Sequence, residues 1–115
     1  MDAVFNNSVP IYLQIVSEIK KQIVSGKLIP GERIPSVREL ALTYKVNPNT
    51  MQKALIELEE NGLIKTERTN GKFVTKDENI INKIKNDYAD NLTQNYLSEM
   101  ISLGITKQEI KERIK

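Results

Sequence analysis

No cysteine occurs in the 115 residues. That excludes disulfides, thiolate metal sites and cysteine nucleophiles, and it suits a reducing compartment. Histidine is absent as well, which removes the commonest general base and the commonest transition-metal ligand. No stretch has the Gly-x-x-x-x-Gly-Lys-Ser/Thr form of a phosphate loop. The carboxylates are scattered among lysines with no aligned acid/base pair. An enzyme is therefore not expected, nor a cofactor or a metal site. No apolar run approaches the roughly 18 residues of a membrane span. The opening MDAVFNNSVP lacks a basic region followed by a hydrophobic stretch, so no signal peptide is expected. A cytoplasmic protein without a membrane partner fits these absences.

What is present suits a modest folded core. Hydrophobic residues make up 39% and charged residues 28%, a balance that argues against wholesale disorder. Formal charge is only +2, too weak to prove a nucleic-acid partner. Its distribution says more: residues 1–76 hold 11 Lys/Arg against 8 Asp/Glu, and residues 77–115 hold 6 against 7. The basic surplus lies in the first two-thirds.

Residues 1–9 read as an arm. Pro10 suits the first turn of a helix, and Tyr12, Ile15, Val16, Ile19 and Ile23 follow as one apolar stripe. Gly26 ends it, and Pro30-Gly31 predicts a type II turn. Ser36-Val37-Arg38-Glu39 fits a capping box, with Val37, Leu40, Ala41 and Tyr44 as the apolar face of a second helix. After Lys45-Val46-Asn47, Asn47 can cap a third helix with Pro48 in its first position. Met51, Ala54, Leu55 and Leu58 face inward there, and Gly62 closes it. Two β-prone segments, 63–67 and 72–75, flank Arg68-Thr69-Asn70-Gly71, and Asn-Gly is a strong hairpin signal. Beyond residue 76, apolar residues recur about every four positions, from Ile80/Ile81 to Met100, predicting one long amphipathic helix. Gly104 breaks it, and Thr106-Lys107-Gln108-Glu109 resembles another capping box, opening a short helix with Ile110 and Ile114. The expected fold is mostly α with a small β-hairpin: a winged helix-turn-helix over 1–76, then a two-helix region over 77–115.

Two capped helices joined by a tight turn form a helix-turn-helix, whose second helix can enter the major groove of duplex DNA. Inward-facing stripes leave Asn47, Asn49, Thr50, Gln52 and Lys53 near the outer, N-terminal part of the third helix. Asn and Gln can pair bidentately with adenine, and Thr can touch the thymine methyl. Arg38, in the first turn of the second helix, can share a phosphate with the free N–H groups there. At the hairpin, Arg68 and Lys72 flank Asn70 and Gly71, a shape suited to a minor groove or phosphate strand.

The stretch from Ile11 to Val74 resembles the DNA-binding domain of the GntR family of bacterial regulators. The resemblance rests on Ile11-Tyr12-Leu13-Gln14-Ile15, on Gly26 to Glu32, and on Ile34-Pro35-Ser36-Val37-Arg38-Glu39-Leu40-Ala41. Val46 to Thr50, Leu58 to Ile64 and Gly71-Lys72-Phe73-Val74 follow in family order and spacing. It implies DNA contact by Arg38, by Asn47, Asn49, Thr50 and Gln52, and by the hairpin tip at Asn70 and Gly71. Pro48 and Gln52 stand where the family often has arginine, which points to an A/T-leaning site. The short C-terminal part is similar to that of the YtrA-like subgroup, which implies dimerisation through a helix pair and control of a neighbouring ABC-transporter operon.

An apolar stripe over about five turns needs a partner. Ile84, Tyr88, Leu92, Tyr96 and Met100 are the candidate homodimer interface. No small-molecule effector is assigned by the sequence. The alternative to a DNA-binding repressor is a winged-helix module that binds protein, which would lack a basic face shared by the third helix and the wing.

Overall fold

Capping residues and apolar periodicity set the helices of the computed structural model, which describes residues 8–114. The expected arm lies outside the described residues except for Ser8 and Val9. Pro10 caps α1 (Ile11–Val24), which buries Ile15, Val16, Ile19 and Ile23, while Tyr12 is only half-buried. The chain then turns at Ile29-Pro30-Gly31-Glu32, where the Glu32 N–H donates to the Ile29 carbonyl at 3.0 Å. Gly31 takes φ +83° at the third turn position, the conformation that makes glycine the residue of choice in a type II turn.

In α2 (Val37–Tyr44) the Ser36 side chain accepts from the Glu39 N–H, and the Glu39 carboxylate accepts from the Ser36 N–H. Ala41 and Tyr44 are buried. Burial and the nearby Glu18 charge push the Tyr44 hydroxyl above its ordinary pKa, against a hydrogen bond with Gln22. Lys45 leaves the helix in the left-handed region at φ 57°, ψ 46°. Two residues later Asn47 caps α3 (Pro48–Glu60), with Pro48 at its first position. Met51, Ala54, Leu55 and Leu58 of α3 are buried. Helix α3 packs against α1, α2 and the first wing strand, so it runs through the centre of the core.

The wing pairs β1 (Ile64–Glu67) antiparallel with β2 (Gly71–Val74), in the register Ile64↔Val74 to Glu67↔Gly71. β1 starts one residue later than the expected 63–67, and β2 is shifted one residue earlier than the expected 72–75. Gly71 therefore begins β2 instead of sharing the loop with Asn70, and the loop is Arg68-Thr69-Asn70. An unforeseen third segment lies along β2. The Gly31 N–H donates to the Val74 carbonyl, the Val74 N–H to Glu32, and the Ile34 N–H to Lys72, at 2.8–3.0 Å. Arg33 bridges Phe73 there.

The long helix α4 (Glu78–Ser102) and the short α5 (Lys107–Arg113) form as expected, with Thr106 and Glu109 in a capping box. The chain divides into two compact units, up to Asn82 and from Lys83. In the first, Ile81 is buried; in the second, Ile110 is buried.

Candidate nucleic-acid interface

One face of α3 is committed to the core, which leaves the opposite face available. At 100° per residue, Asn49, Gln52, Lys53 and Ile56 fall within an arc of about 100°, opposite Met51, Ala54, Leu55 and Leu58. All four are exposed, and Thr50 is half-buried beside them. Asn47 is exposed too, but its side-chain oxygen accepts from the Asn49 N–H at 2.7 Å. That oxygen starts the helix, and the Asn47 amide N–H₂ keeps its donors. The Lys53 ammonium sits 4.1 Å from the centroid of the Tyr12 ring. This cation–π contact holds a flexible cation above α1 and gives half-buried Tyr12 a purpose beyond packing.

A second group of predicted residues meets elsewhere. The start of α2 and the hairpin enclose an open cleft of about 540 Å³. Ser36, Val37 and Arg38 form one wall, and Thr66 to Lys72 form the other. Arg38, Arg68, Asn70 and Gly71 thus come together, although Arg38 lies 30 or more positions before the other three. Arg33, which sequence reasoning missed, lines the same cleft. Its only sequence signal was a basic residue within the four positions between Pro30 and Pro35, too few to show strand alternation. Arg33, Arg38 and Arg68 are exposed, and none of the three has a salt bridge among the described residues.

Lys72 is placed differently from a free wing cation. Its ammonium lies 2.5 Å from the Glu59 carboxylate and 2.9 Å from the Thr66 hydroxyl, and its side chain is only 16% exposed. Thr66 also donates to Glu59. The expected flanking pair Arg68 and Lys72 therefore separates: Arg68 keeps its charge for solvent or ligand, while Lys72 fastens the wing to the last turn of α3. Partial burial disfavours the Glu59 carboxylate, but hydrogen bonds from Lys72 and Thr66 and the Lys72 charge outweigh it. They hold the Glu59 carboxyl below its usual pKa.

This clamp carries a pH-dependent prediction. A carboxyl whose pKa is lowered on folding stabilises the fold above its unfolded pKa, about 4.3, and that contribution disappears as pH falls through the folded value. Glu59→Gln is expected to lose roughly 0.5–1 kcal/mol at pH 7, the scale of a partly exposed ion pair. The gap to wild type should shrink as pH drops below the ordinary carboxylate range. Urea denaturation at pH 7 and at low pH checks it, and an unchanging gap would rule out the charge as its source.

The candidate dimer residues lie in α4. Recurrence every four residues turns the stripe about 40° per step, so Ile84 and Met100 stand about 160° apart around the helix. Ile84, Tyr88 and Met100 are half-buried. Leu92 and Tyr96 are 57% and 41% exposed, and Leu103, just beyond the helix, is 74% exposed. These three fall within an arc of about 40° if the helical turn is extended to Leu103.

Comparison with known proteins agrees with this architecture. Residues 11–74 match the family model "Bacterial regulatory proteins, gntR family". The chain is 40% identical to an uncharacterized HTH-type transcriptional regulator, YhcF of Bacillus subtilis, over 100% of this chain and 95% of that protein. It is 44% identical to the HTH-type transcriptional repressor YtrA of Bacillus subtilis over 61% of this chain and 54% of that one. Among solved structures, a GntR family transcriptional regulator from Listeria monocytogenes superposes with a TM-score of 0.90 at 46% identity, covering 96% of each chain. The DNA-binding domain of AraR in complex with operator ORX1 superposes with a TM-score of 0.61 at 30% identity, covering 65% of this chain and 96% of that one.

Proposed function

The chain belongs to the gntR family of bacterial regulatory proteins, and from that premise we propose that it is a homodimeric repressor reading a pseudo-palindromic operator in duplex DNA. Its relatives are transcription regulators and not enzymes. The observation that carries the DNA reading is the pairing of two surfaces: a polar outer face on α3, and a wing cleft lined by three arginines that have no salt bridge among the described residues. A winged-helix module for protein binding would instead lack a basic face shared by the third helix and the wing. The AraR domain, of the same fold, occupies an operator. The YtrA relative, a repressor, supports the sign of regulation and the subgroup. By that resemblance the target is a neighbouring ABC-transporter operon.

In this reading residues 1–76 bind DNA and residues 77–115 dimerise. Asn49, Thr50 and Gln52 meet base edges, with the free amide of Asn47 beside them. Lys53, steadied by Tyr12, meets phosphate, as do Arg38 and Arg68. Asn70 and Gly71 bring the wing tip to the backbone, and Lys72 holds the wing in place. Gln52 in place of a guanine-reading arginine favours an A/T-leaning operator. No helix among the described residues is long and apolar enough to cross a membrane, which accords with a cytoplasmic regulator.

Fluorescence anisotropy with the duplex upstream of the chain's own gene, against a scrambled duplex and across a salt series, tests this. Tight binding of two chains to the first duplex, weakening steeply with salt, is expected. Arg38→Ala should weaken binding to both duplexes and reduce the salt slope by about one per contact. Gln52→Ala should instead narrow the gap between them, by roughly 1–3 kcal/mol for a lost bidentate base contact. Wild-type affinity and selectivity in both variants would mean that DNA is met by a different surface.

A further inference from the structure

We propose that Arg33 is a third phosphate-binding residue of the wing cleft, making that cleft a clamp for consecutive phosphates of one DNA strand. The inference rests on the DNA-binding reading above and assigns a residue that no motif marks. Its first support is placement. Arg33 stands on the short segment bonded along β2, with backbone hydrogen bonds at Glu32 and Ile34 on either side of it. Its backbone is thereby fixed to the wing, so its guanidinium has a defined position beside the tip.

The second support is the close approach of that guanidinium to Gly71. A Cβ on Gly71 would lie 3.2 Å from Arg33 Nε and 3.3 Å from Nη2. Gly71 also takes φ +103°, a conformation that L side chains rarely adopt. Glycine here serves both the turn and the arginine packed against it. Arg33 thus lies at the base of the loop that carries Arg68.

The third support is charge. Among the described residues no salt bridge includes Arg33, Arg38 or Arg68, although all three line one cleft. The single carboxylate on its walls, Glu67, accepts a hydrogen bond from the Asn70 amide. Like charges gathered in this way repel until an anion enters. A guanidinium suits phosphate because its planar N–H groups match two oxygens at once. Several guanidiniums along one open cleft suit a run of phosphates better than a single small anion.

The test uses the full chain in the same anisotropy assay, on operator and scrambled duplexes over a salt series. Arg33→Ala is expected to weaken binding to both duplexes by the same factor, roughly tenfold for a charge-assisted contact. The salt slope should fall by about one per contact. Arg33→Lys should restore the slope with only part of the affinity, since lysine lacks the two-oxygen geometry. Arg33→Gln keeps most of the reach without the charge, and it repeats the comparison if alanine disturbs the wing. Variants with wild-type affinity and slope, while the wild type still prefers its operator, would overturn the assignment of Arg33 alone. A loss confined to the operator would also overturn it, because phosphate contact is blind to sequence. Failure of the wild type to bind either duplex at low salt would remove the DNA reading and this inference with it.

Discussion

Leu55→Ala should lower the unfolding free energy by roughly 2–5 kcal/mol, the range for removing a fully buried leucine from a core. Leu55 has no exposed surface, and its helix packs against α1, α2 and β1, so few neighbours are free to collapse into the vacated space. A domain of this size holds roughly 5–15 kcal/mol in all, and each kcal/mol moves the melting temperature by roughly 4–8 °C. The variant should therefore melt roughly 8–40 °C below wild type or fail to fold at growth temperature. Gln52, three residues earlier and about 60° around the helix, is at the edge of the exposed arc and is exposed. Gln52→Ala should stay within about 0.5 kcal/mol of wild type. Paired urea titrations would separate the two faces of α3. A loss below about 1 kcal/mol at Leu55 would show that α3 is not the centre of the core.

This contrast between faces was legible in the sequence, because Met51, Ala54, Leu55 and Leu58 repeat at helical offsets. The helix starts were equally legible. Ser36 with Glu39, Asn47 with Pro48, and Thr106 with Glu109 announce a cap through side chains only three residues apart or fewer. Local chemistry of this kind survives without any knowledge of tertiary structure. Long-range pairing does not. The segment at 31–34 lies along the wing only because β2 offers it hydrogen bonds some 40 residues later, and four residues between prolines carry no period. The link from Lys72 to Glu59 spans 13 residues and joins a strand to a helix end, so nothing in either neighbourhood marks it. Lys45 is a third case. The break between α2 and α3 was visible, but its left-handed residue is a lysine, a type that rarely takes that conformation. The site divides in the same way. Its residues on α3 follow from helical geometry, whereas the meeting of Arg33, Arg38 and Arg68 in one cleft required the fold.

Charging the exposed face of α4 should abolish the proposed homodimer and most of the operator affinity. In Leu92→Glu/Tyr96→Glu, two apolar side chains that are 57% and 41% exposed in the single chain become carboxylates, stacked one helical turn apart. Glutamate is a good helix former, so α4 itself should persist and circular dichroism should match wild type. Facing copies would bring four carboxylates into a surface that must be desolvated to associate, a cost that buried charge without partners cannot recover. Sedimentation should then report monomers where the wild type reports dimers. The consequence for DNA follows from linkage of two half-sites. While the chains are joined, binding one half-site presents the second recognition helix at an effective concentration near the millimolar range. Separation removes that gain, typically 10²- to 10⁴-fold. Affinity for a single half-site should be unaffected, since the residues proposed to touch DNA all lie before residue 77. A charged variant that remained dimeric would place the interface elsewhere on the chain. A monomeric variant with full operator affinity would instead mean that each chain reads its half-site alone, and that operator symmetry contributes nothing to binding.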